Sequence, residues 1–268
     1  MHIQDFEVDA AFELGIVKAN WLKRFIYGFE LFLMRRFDRV STISEAMLDK
    51  LYAKGIAQDK QLFFPNWVDT SFIYPLKTVS KYRAELNIPL DKPVVLYSGN
   101  MGEKQGLEIV IEAARNLQDK NIQFIMCGSG AALDRLQTLS VGLDNIIWLP
   151  LQPFERLNEF LNLADIHLLP QQAGAADLVM PSKLTGILSS GRPVVATAQQ
   201  GTQVARVVEG KGTVVEPGDT EAFTRAIKAL AINPELRIEL GLKSRSYAEN
   251  NLEYEAIMRN FETELKNL

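Results

Sequence analysis

Asp177-Leu-Val-Met-Pro-Ser-Lys-Leu-Thr-Gly-Ile-Leu-Ser-Ser-Gly-Arg-Pro-Val-Val-Ala-Thr197 decides the fold. A strand pattern precedes it, Asp165-Ile-His-Leu-Leu-Pro170, and then a loop of small residues from Gln171 to Ala176. Pro181-Ser182 opens a helix. Ser182 is placed as its N-cap, and Lys183, Leu184, Ile187 and Leu188 continue at helical spacing. Gly191 stops the helix, and Pro193 leads into an apolar strand, Val194-Val195-Ala196. Strand, loop, helix and strand make one unit of a parallel sheet. The loop and helix start lie at the carboxyl end of a strand, where open α/β sheets bind ligands. A Ser and a Lys at a helix N-terminus suit an anion such as a diphosphate.

The same alternation extends toward the N-terminus. Pro93–Ser98 reads as a strand, followed by the Gly-rich loop Gly99-Asn-Met-Gly-Glu-Lys-Gln-Gly106 and a helix over Leu107–Leu117. Next come a strand over Ile122–Cys127, the turn Gly128-Ser-Gly130 and a helix through Leu139. A strand at Asn145–Leu149 and a helix over Phe154–Leu163 complete this side. Thr213–Val215 adds a last strand, and Asp219–Leu268 is helical with breaks at Asn233-Pro234 and Asn250-Asn251. This order predicts a doubly wound parallel sheet.

Before it, Arg39–Ser44 is a short strand, and Ser44 caps a helix over Glu45–Lys54 that Gly55 stops. Gln61–Asn66 is another strand, and Trp67–Pro75 is an aperiodic connector, placing a domain boundary near Leu76. Lys18–Phe37 has a helical pattern with Trp21, Leu22, Phe25, Phe29, Phe32 and Leu33 on one side and many basic residues. Its aromatic spacing favours a core-packing helix with solvated charges. The other reading of residues 18–39 is peripheral contact with an anionic membrane surface.

Composition narrows the function. The 268 residues are 47% hydrophobic and carry a net charge of −4, which argues against a nucleic-acid partner bound through a basic surface. Cys127 is the one cysteine, so an internal disulfide is excluded and a reducing, cytoplasmic setting is expected, including the inner face of the plasma membrane. With only His2 and His167 as histidines, no metal site is expected. Met1–Glu7 carries acids and no basic run, so no signal peptide is read there.

The loop Gly99–Gly106 lets backbone N–H groups approach phosphate oxygens, and Lys104 adds a point charge. It matches neither the P-loop nor the dinucleotide fingerprint. Gly128-Ser-Gly130 reads by itself as a tight turn, Cys127 as a buried small hydrophobe, and His167 as a satisfied core histidine. His2 and Asp5 stand at a strand end, a frequent place for active-site groups. Anion sites built from glycines, helix starts and lysines point to a nucleotide diphosphate bound without metal.

Taken together, Ser98–Gly106, Phe124–Gly130, Ile147–Pro150, Ala164–Pro170 and Pro181–Ala196 resemble the C-terminal half of a family 4 glycosyltransferase of GT-B fold, of the bacterial exopolysaccharide type. Pro65-Asn-Trp-Val-Asp69 resembles the segment closing the N-terminal domain of that family. The resemblance implies one complete Rossmann-like domain at 76–250 that holds the nucleotide sugar. It further implies a partial acceptor-side domain at 1–75 and a C-terminal helix at 251–268 packing back on it. Lys104 would neutralise the leaving diphosphate, with His2 and Asp5 near the reacting sugar. Gly99, Asn100, Gly128, Gly130, Leu149, Leu151, Asp177, Pro181, Ser182 and Lys183 would bind the donor. The reaction implied is retaining, without metal or cofactor, between a UDP- or GDP-sugar and a glycan or lipid-linked acceptor.

Two departures qualify this. Many family members carry two glutamates where this chain has Leu178 and Gly186, and Asp177 is one residue from the first. About 100 further residues are expected ahead of His2 for a domain of typical size. A truncated, non-catalytic remnant that binds a nucleotide sugar or a partner chain is the alternative. An NAD-dependent oxidoreductase is disfavoured by the absent fingerprint.

Overall fold

Val94-Val-Leu-Tyr97 and Phe124-Ile-Met-Cys127 are apolar at every position, so a sheet made from them needs cover on both faces. The computed structural model of the chain describes residues 1–4, 6, 20–172 and 180–266, and for 20–24 the backbone alone. It divides into two compact units.

The first unit comprises Met1–Asn66, Asp177–Met180 and Glu255–Leu268. Strands β1 (His2–Ile3), β2 (Val40–Thr42) and β3 (Gln61–Phe63) pair in parallel in that order. Helix α1 (Asn20–Arg35) connects β1 to β2, and α2 (Glu45–Ala53) connects β2 to β3. Ser44 caps α2 as expected, its Oγ accepting from Met47 N at 3.2 Å. Helix α1 departs from the core-packing expectation. Its buried contact is made by Met34 and by the Glu30–Lys54 ion pair at 2.7 Å, while Phe25, Phe29, Phe32 and Leu33 are exposed. The helix carries apolar residues on both sides, and the aromatic side is the one facing outward.

The second unit comprises Trp67–Ala176 and Pro181–Tyr254. In chain order it contains α3 (Tyr82–Glu85), β4 (Val94–Asn100), α4 (Glu108–Asn116), β5 (Gln123–Ser129), α5 (Leu133–Leu139), β6 (Ile146–Leu149) and α6 (Leu157–Leu161). Then follow β7 (Ile166–Leu169), α7 (Lys183–Ser189), β8 (Val194–Thr197), α8 (Gln203–Val208), β9 (Gly212–Val215), α9 (Thr220–Ala231) and α10 (Pro234–Asn251). The last helix, α11 (Tyr254–Lys266), falls almost wholly in the first unit, where Phe261 lies on Phe64 with ring centroids 4.1 Å apart.

The sheet runs β6-β5-β4-β7-β8-β9, all parallel. Successive residues of β4 point to opposite faces. Val95 and Tyr97 enter a core with Phe124, Met126, Val110 and Ile227, while Val94 and Leu96 enter another with Ile125, Cys127 and Phe160. The predicted doubly wound sheet is thus observed. The α9–α10 break falls where Asn233-Pro234 placed it, with Pro234 in the first turn and Asn233 Oδ1 accepting from Leu236 N at 3.0 Å.

The units divide between Asn66 and Trp67, ahead of the boundary expected near Leu76. Residues 67–75 have no periodicity of their own but are tied into the second unit. Ser189 Oγ donates to Ile73 O at 2.6 Å, Arg245 donates to Thr70 O and Ile73 O at 3.0 and 2.8 Å, and Leu76 N donates to Asn162 Oδ1 at 2.9 Å.

Arg83 is a buried cation that anchors the start of the sheet. Its Nη2 lies 2.6 Å from Asp165 Oδ2, and its Nη1 donates to Pro89 O and Lys92 O. The same Asp165 oxygen accepts from Val94 N at 2.8 Å. Removing one partner of such a pair strands the other charge. Asp165→Ala is therefore expected to lower stability by about 3 kcal/mol, read from urea unfolding.

Candidate active site

The sheet order reverses direction at β4: the chain builds outward to β5 and β6, then returns to add β7 on the other side. Ligands of such sheets sit outside the carboxyl ends of the strands at that switch. Here the carboxyl end of β4 carries Ser98, Gly99 and Asn100.

Glycines let β4 and β5 close together at this end. Gly99 and Gly128 are paired in register. A Cβ on Gly128 would stand 1.9 Å from Gly99 O, and one on Gly130 would stand 2.5 Å from Met101 O. Both have positive φ, 144° and 152°. The ladder then continues past the strands, with Met101 N donating to Ser129 O at 2.8 Å and Ala132 N to Met101 O at 2.9 Å. Tyr97 donates its hydroxyl to Asn100 O, fixing the turn from below.

Lys183, first residue of α7, reaches back to this strand end. Its Nζ lies 4.3 Å from the centroid of the Tyr97 ring, and a Cβ on Gly99 would stand 3.6 Å from its Cδ. The residue is half-buried at its surface, but its ammonium is enclosed, and loss of water pulls its pKa down to about 8. Among the described residues no carboxylate pairs with it. A cavity of about 370 Å³ opens beside it, walled by Trp67, Phe72, Phe154, Leu161 and Gly186. Phe72 and Phe154 stack at 4.7 Å.

Lys104 lies in a single 3₁₀ turn, Glu103–Gln105, and is exposed. Its carbonyl accepts from Gln172 N at 3.0 Å, which joins the loop after β4 to the loop after β7. Glu103 pairs with Arg135 at 2.7 Å, and Gln105 Oε1 accepts from Gly102 N at 3.0 Å. Leu149 ends β6 half-buried, and Leu151 beyond it is exposed. Pro181 and Ser182 precede α7. Ser182 does not act as the expected cap: its backbone is helical and its side chain makes no capping bond. The chain enters α7 through a tight turn instead, with Leu184 N donating to Pro181 O at 3.0 Å. Since α7 has seven residues, the lysine charge rather than a long helix dipole dominates there.

Gly99, Asn100, Gly128, Gly130 and Lys183 thus converge, with the Lys104 loop beside them. His2 belongs to the first unit, where its Nδ1 lies 3.0 Å from Ser41 Oγ and its ring meets Phe64 edge-on. Burial and then the N-terminal charge lower its pKa. Asp5, Asp177 and Leu178 lie outside the described residues. His167 is buried, its Nε2 3.1 Å from Leu161 O, and desolvation lowers its pKa to about 3, as fits a core histidine. The Cys127 thiol donates to Pro150 O at 3.1 Å, and burial raises its pKa. Tyr97 escaped sequence reading because it is one apolar position among four. The aromatic pair escaped because Phe72 sits in an aperiodic segment.

Residues 78–247 match the family described as glycosyl transferases group 1. The chain belongs to this family. A protein of Escherichia coli named as a colanic acid biosynthesis glycosyl transferase is 38% identical over 99% of this chain and 67% of its own length. A sulfoquinovosyl transferase of Arabidopsis thaliana is 28% identical over 86% of this chain and 45% of its own. Among solved structures, Anabaena HepE in complex with UDP-glucose superposes with a TM-score of 0.80 at 16% identity, over all of this chain and 71% of that one. Sucrose-phosphate synthase from Thermosynechococcus elongatus gives 0.76 at 20% identity, over 99% of this chain and 66% of that one. Measured against these two relatives, this glycosyltransferase-family chain spans about two thirds of one and less than half of the other. Its fold class is α/β and GT-B-like, as the resemblance implied.

Gly128→Ala cannot be accommodated without parting β4 from β5, so a loss of about 3 kcal/mol is expected. Gly142→Ala, at φ 86° with nothing within 4 Å, serves as the control and is expected to cost about 1 kcal/mol. Equal losses in thermal unfolding would contradict the close approach.

Proposed function

We propose that the second unit holds the donor of a glycosyltransferase, a nucleotide-diphosphate sugar, with its diphosphate at the carboxyl ends of β4 and β5. The observation that carries this reading is the enclosed Lys183 ammonium near Gly99, with which no carboxylate among the described residues pairs. A cation removed from water without a counter-ion is costly, and an anionic ligand offsets that cost. Lys104, on the loop joined to Gln172, supplies a second charge toward the leaving diphosphate. Backbone groups near Gly99, Gly128 and Gly130 approach phosphate oxygens because no Cβ intervenes, and Asn100 lies on the same loop. Leu149, Leu151, Pro181 and Ser182 border the nucleoside and sugar.

The donor is a UDP- or GDP-sugar. HepE, solved with UDP-glucose, and the colanic acid relative support that class and a role in exopolysaccharide synthesis, with a glycan or lipid-linked acceptor. The bond from the anomeric carbon to the diphosphate oxygen breaks as the acceptor oxygen bonds to the same face, and the acceptor proton passes to the departing phosphate. Configuration is retained, and no metal or cofactor takes part. The protein contributes position and charge. A non-catalytic donor-binding role is favoured by one feature: Gly186 leaves the cavity wall beside Lys183 without a carboxylate at that position.

Donor binding and transfer separate the readings. With UDP-glucose or GDP-sugars and a glycan acceptor, Lys104→Ala is expected to lower turnover about a hundredfold or more with unchanged thermal unfolding. Unchanged turnover removes Lys104 from the reaction. Donor binding without any transfer supports the non-catalytic reading, and absence of nucleotide binding defeats both.

A further inference from the structure

We propose that Thr197, at the end of β8, is a positioning residue that sets where Lys104 stands at the site. The proposal rests on the donor reading above, in which Lys104 faces the diphosphate, and adds the residue that holds it there.

Lys104 sits in a stretch that does little to hold itself. Its 3₁₀ turn is three residues long, closed by Gln105 N donating to Gly102 O at 3.3 Å and Gly106 N to Glu103 O at 3.1 Å. A turn this short takes its place from what surrounds it. On one side Glu103 pairs with Arg135, which also pairs with Glu108. All three side chains are exposed, and exposed ion pairs contribute little. On the other side Gln172 N donates to Lys104 O at 3.0 Å. Gln172 also lies against the end of the turn: a Cβ on Gly106, at φ 58°, would stand 2.9 Å from its Cγ. The lysine's own carbonyl is thus fixed by Gln172.

Gln172 is exposed, and it is held in turn through the residue before it. Gln171 N donates to Thr197 Oγ1 at 2.6 Å, and the same hydroxyl donates to Gln171 O at 2.7 Å. One hydroxyl therefore serves both backbone groups of one residue, as a neighbouring strand would. Thr197 is 1% exposed and is locked in register with Val215 of β9. A hydrogen bond shielded from water is stronger than one at the surface, so this clamp outweighs the Arg135 pairs. The path runs from a buried strand end, through Gln171 and Gln172, to Lys104 O. It crosses the switch, because β7 and β8 lie on one side of it and the Lys104 turn follows β4 on the other. Lys183 arrives from the same β7–β8 side, so one half of the sheet places both lysines.

The test is calorimetric titration of the full chain with UDP and with GDP, read on whichever binds. Lys104→Ala is expected to weaken binding about tenfold. Thr197→Val keeps the shape and removes the hydroxyl, and is expected to weaken binding about fivefold. Thr197→Ser keeps the hydroxyl and is expected to bind as the parent does. In the Lys104→Ala background, Thr197→Val is expected to change nothing further, because its effect passes through that ammonium. A second variant spares the core: Gln172→Pro removes the N–H that meets Lys104 O, and is expected to weaken binding with the same dependence on Lys104. It decides the matter if Thr197→Val does not fold. Equal weakening by Thr197→Val in both backgrounds makes its role merely structural and overturns the proposal. Parental binding by Thr197→Val, or loss of binding in Thr197→Ser, overturns it too. If the parent binds nucleotide and Lys104→Ala binds it equally well, the proposal falls while the donor reading stands. If the parent binds neither nucleotide, both fall.

Discussion

The close approach of β4 to β5 at their carboxyl ends is the constraint on which the rest depends. Gly99 and Gly128 face each other in register, so close that a Cβ on Gly128 would stand 1.9 Å from Gly99 O. That contact lets the ladder run on through Met101, Ser129 and Ala132, so the loops after both strands are held as extensions of the sheet. It brings backbone, rather than side chains, to the point where the sheet order reverses. As the donor site proposed above, it would recognise an anion by the fixed direction of its dipoles, with a packed sheet below it.

The second element is charge brought to that point from across the switch. Lys183 arrives on α7, from the far side of the reversal, and rests on Tyr97 of β4. The ring shields the ammonium from water and returns part of the lost solvation through its π-face. The remaining deficit is what lowers the lysine pKa to about 8. With no counter-ion among the described residues the arrangement is unfavourable, and that imbalance is the physical argument for a ligand there. The cavity beside it is walled by aromatic and aliphatic groups, so a group attached to that anion would be held mainly by contact and stacking.

Much of the sheet was legible because its strands are short apolar runs closed by glycine turns, as at Val94–Gly99 and Phe124–Gly128. Such runs have few alternatives in a chain with this alternation. The glycine and lysine positions followed from their offsets to those strands. Features set by tertiary contact were not legible. Ser182 stands at a cap position but makes no capping bond, because the entry to α7 is a turn through Pro181. Trp67–Pro75 has no period and is placed by Arg245, Ser189 and Asn162, far away in sequence. The aromatic spacing of α1 favoured a buried stripe, and the packing of Met34 and Glu30 on the other side of the helix reverses that reading.

Proton linkage tests the central claim most directly. Free Lys183, with a pKa of about 8, is about half deprotonated at pH 8. A bound diphosphate favours the charged form and raises that pKa, so binding at pH 8 takes up a proton fraction. Calorimetry of UDP binding at pH 8 in two buffers of different ionisation enthalpy measures that fraction. The account predicts net uptake approaching half a proton per UDP, absent in Lys183→Met. Binding without proton uptake, or the same uptake in Lys183→Met, would contradict the placement of the diphosphate beside Lys183.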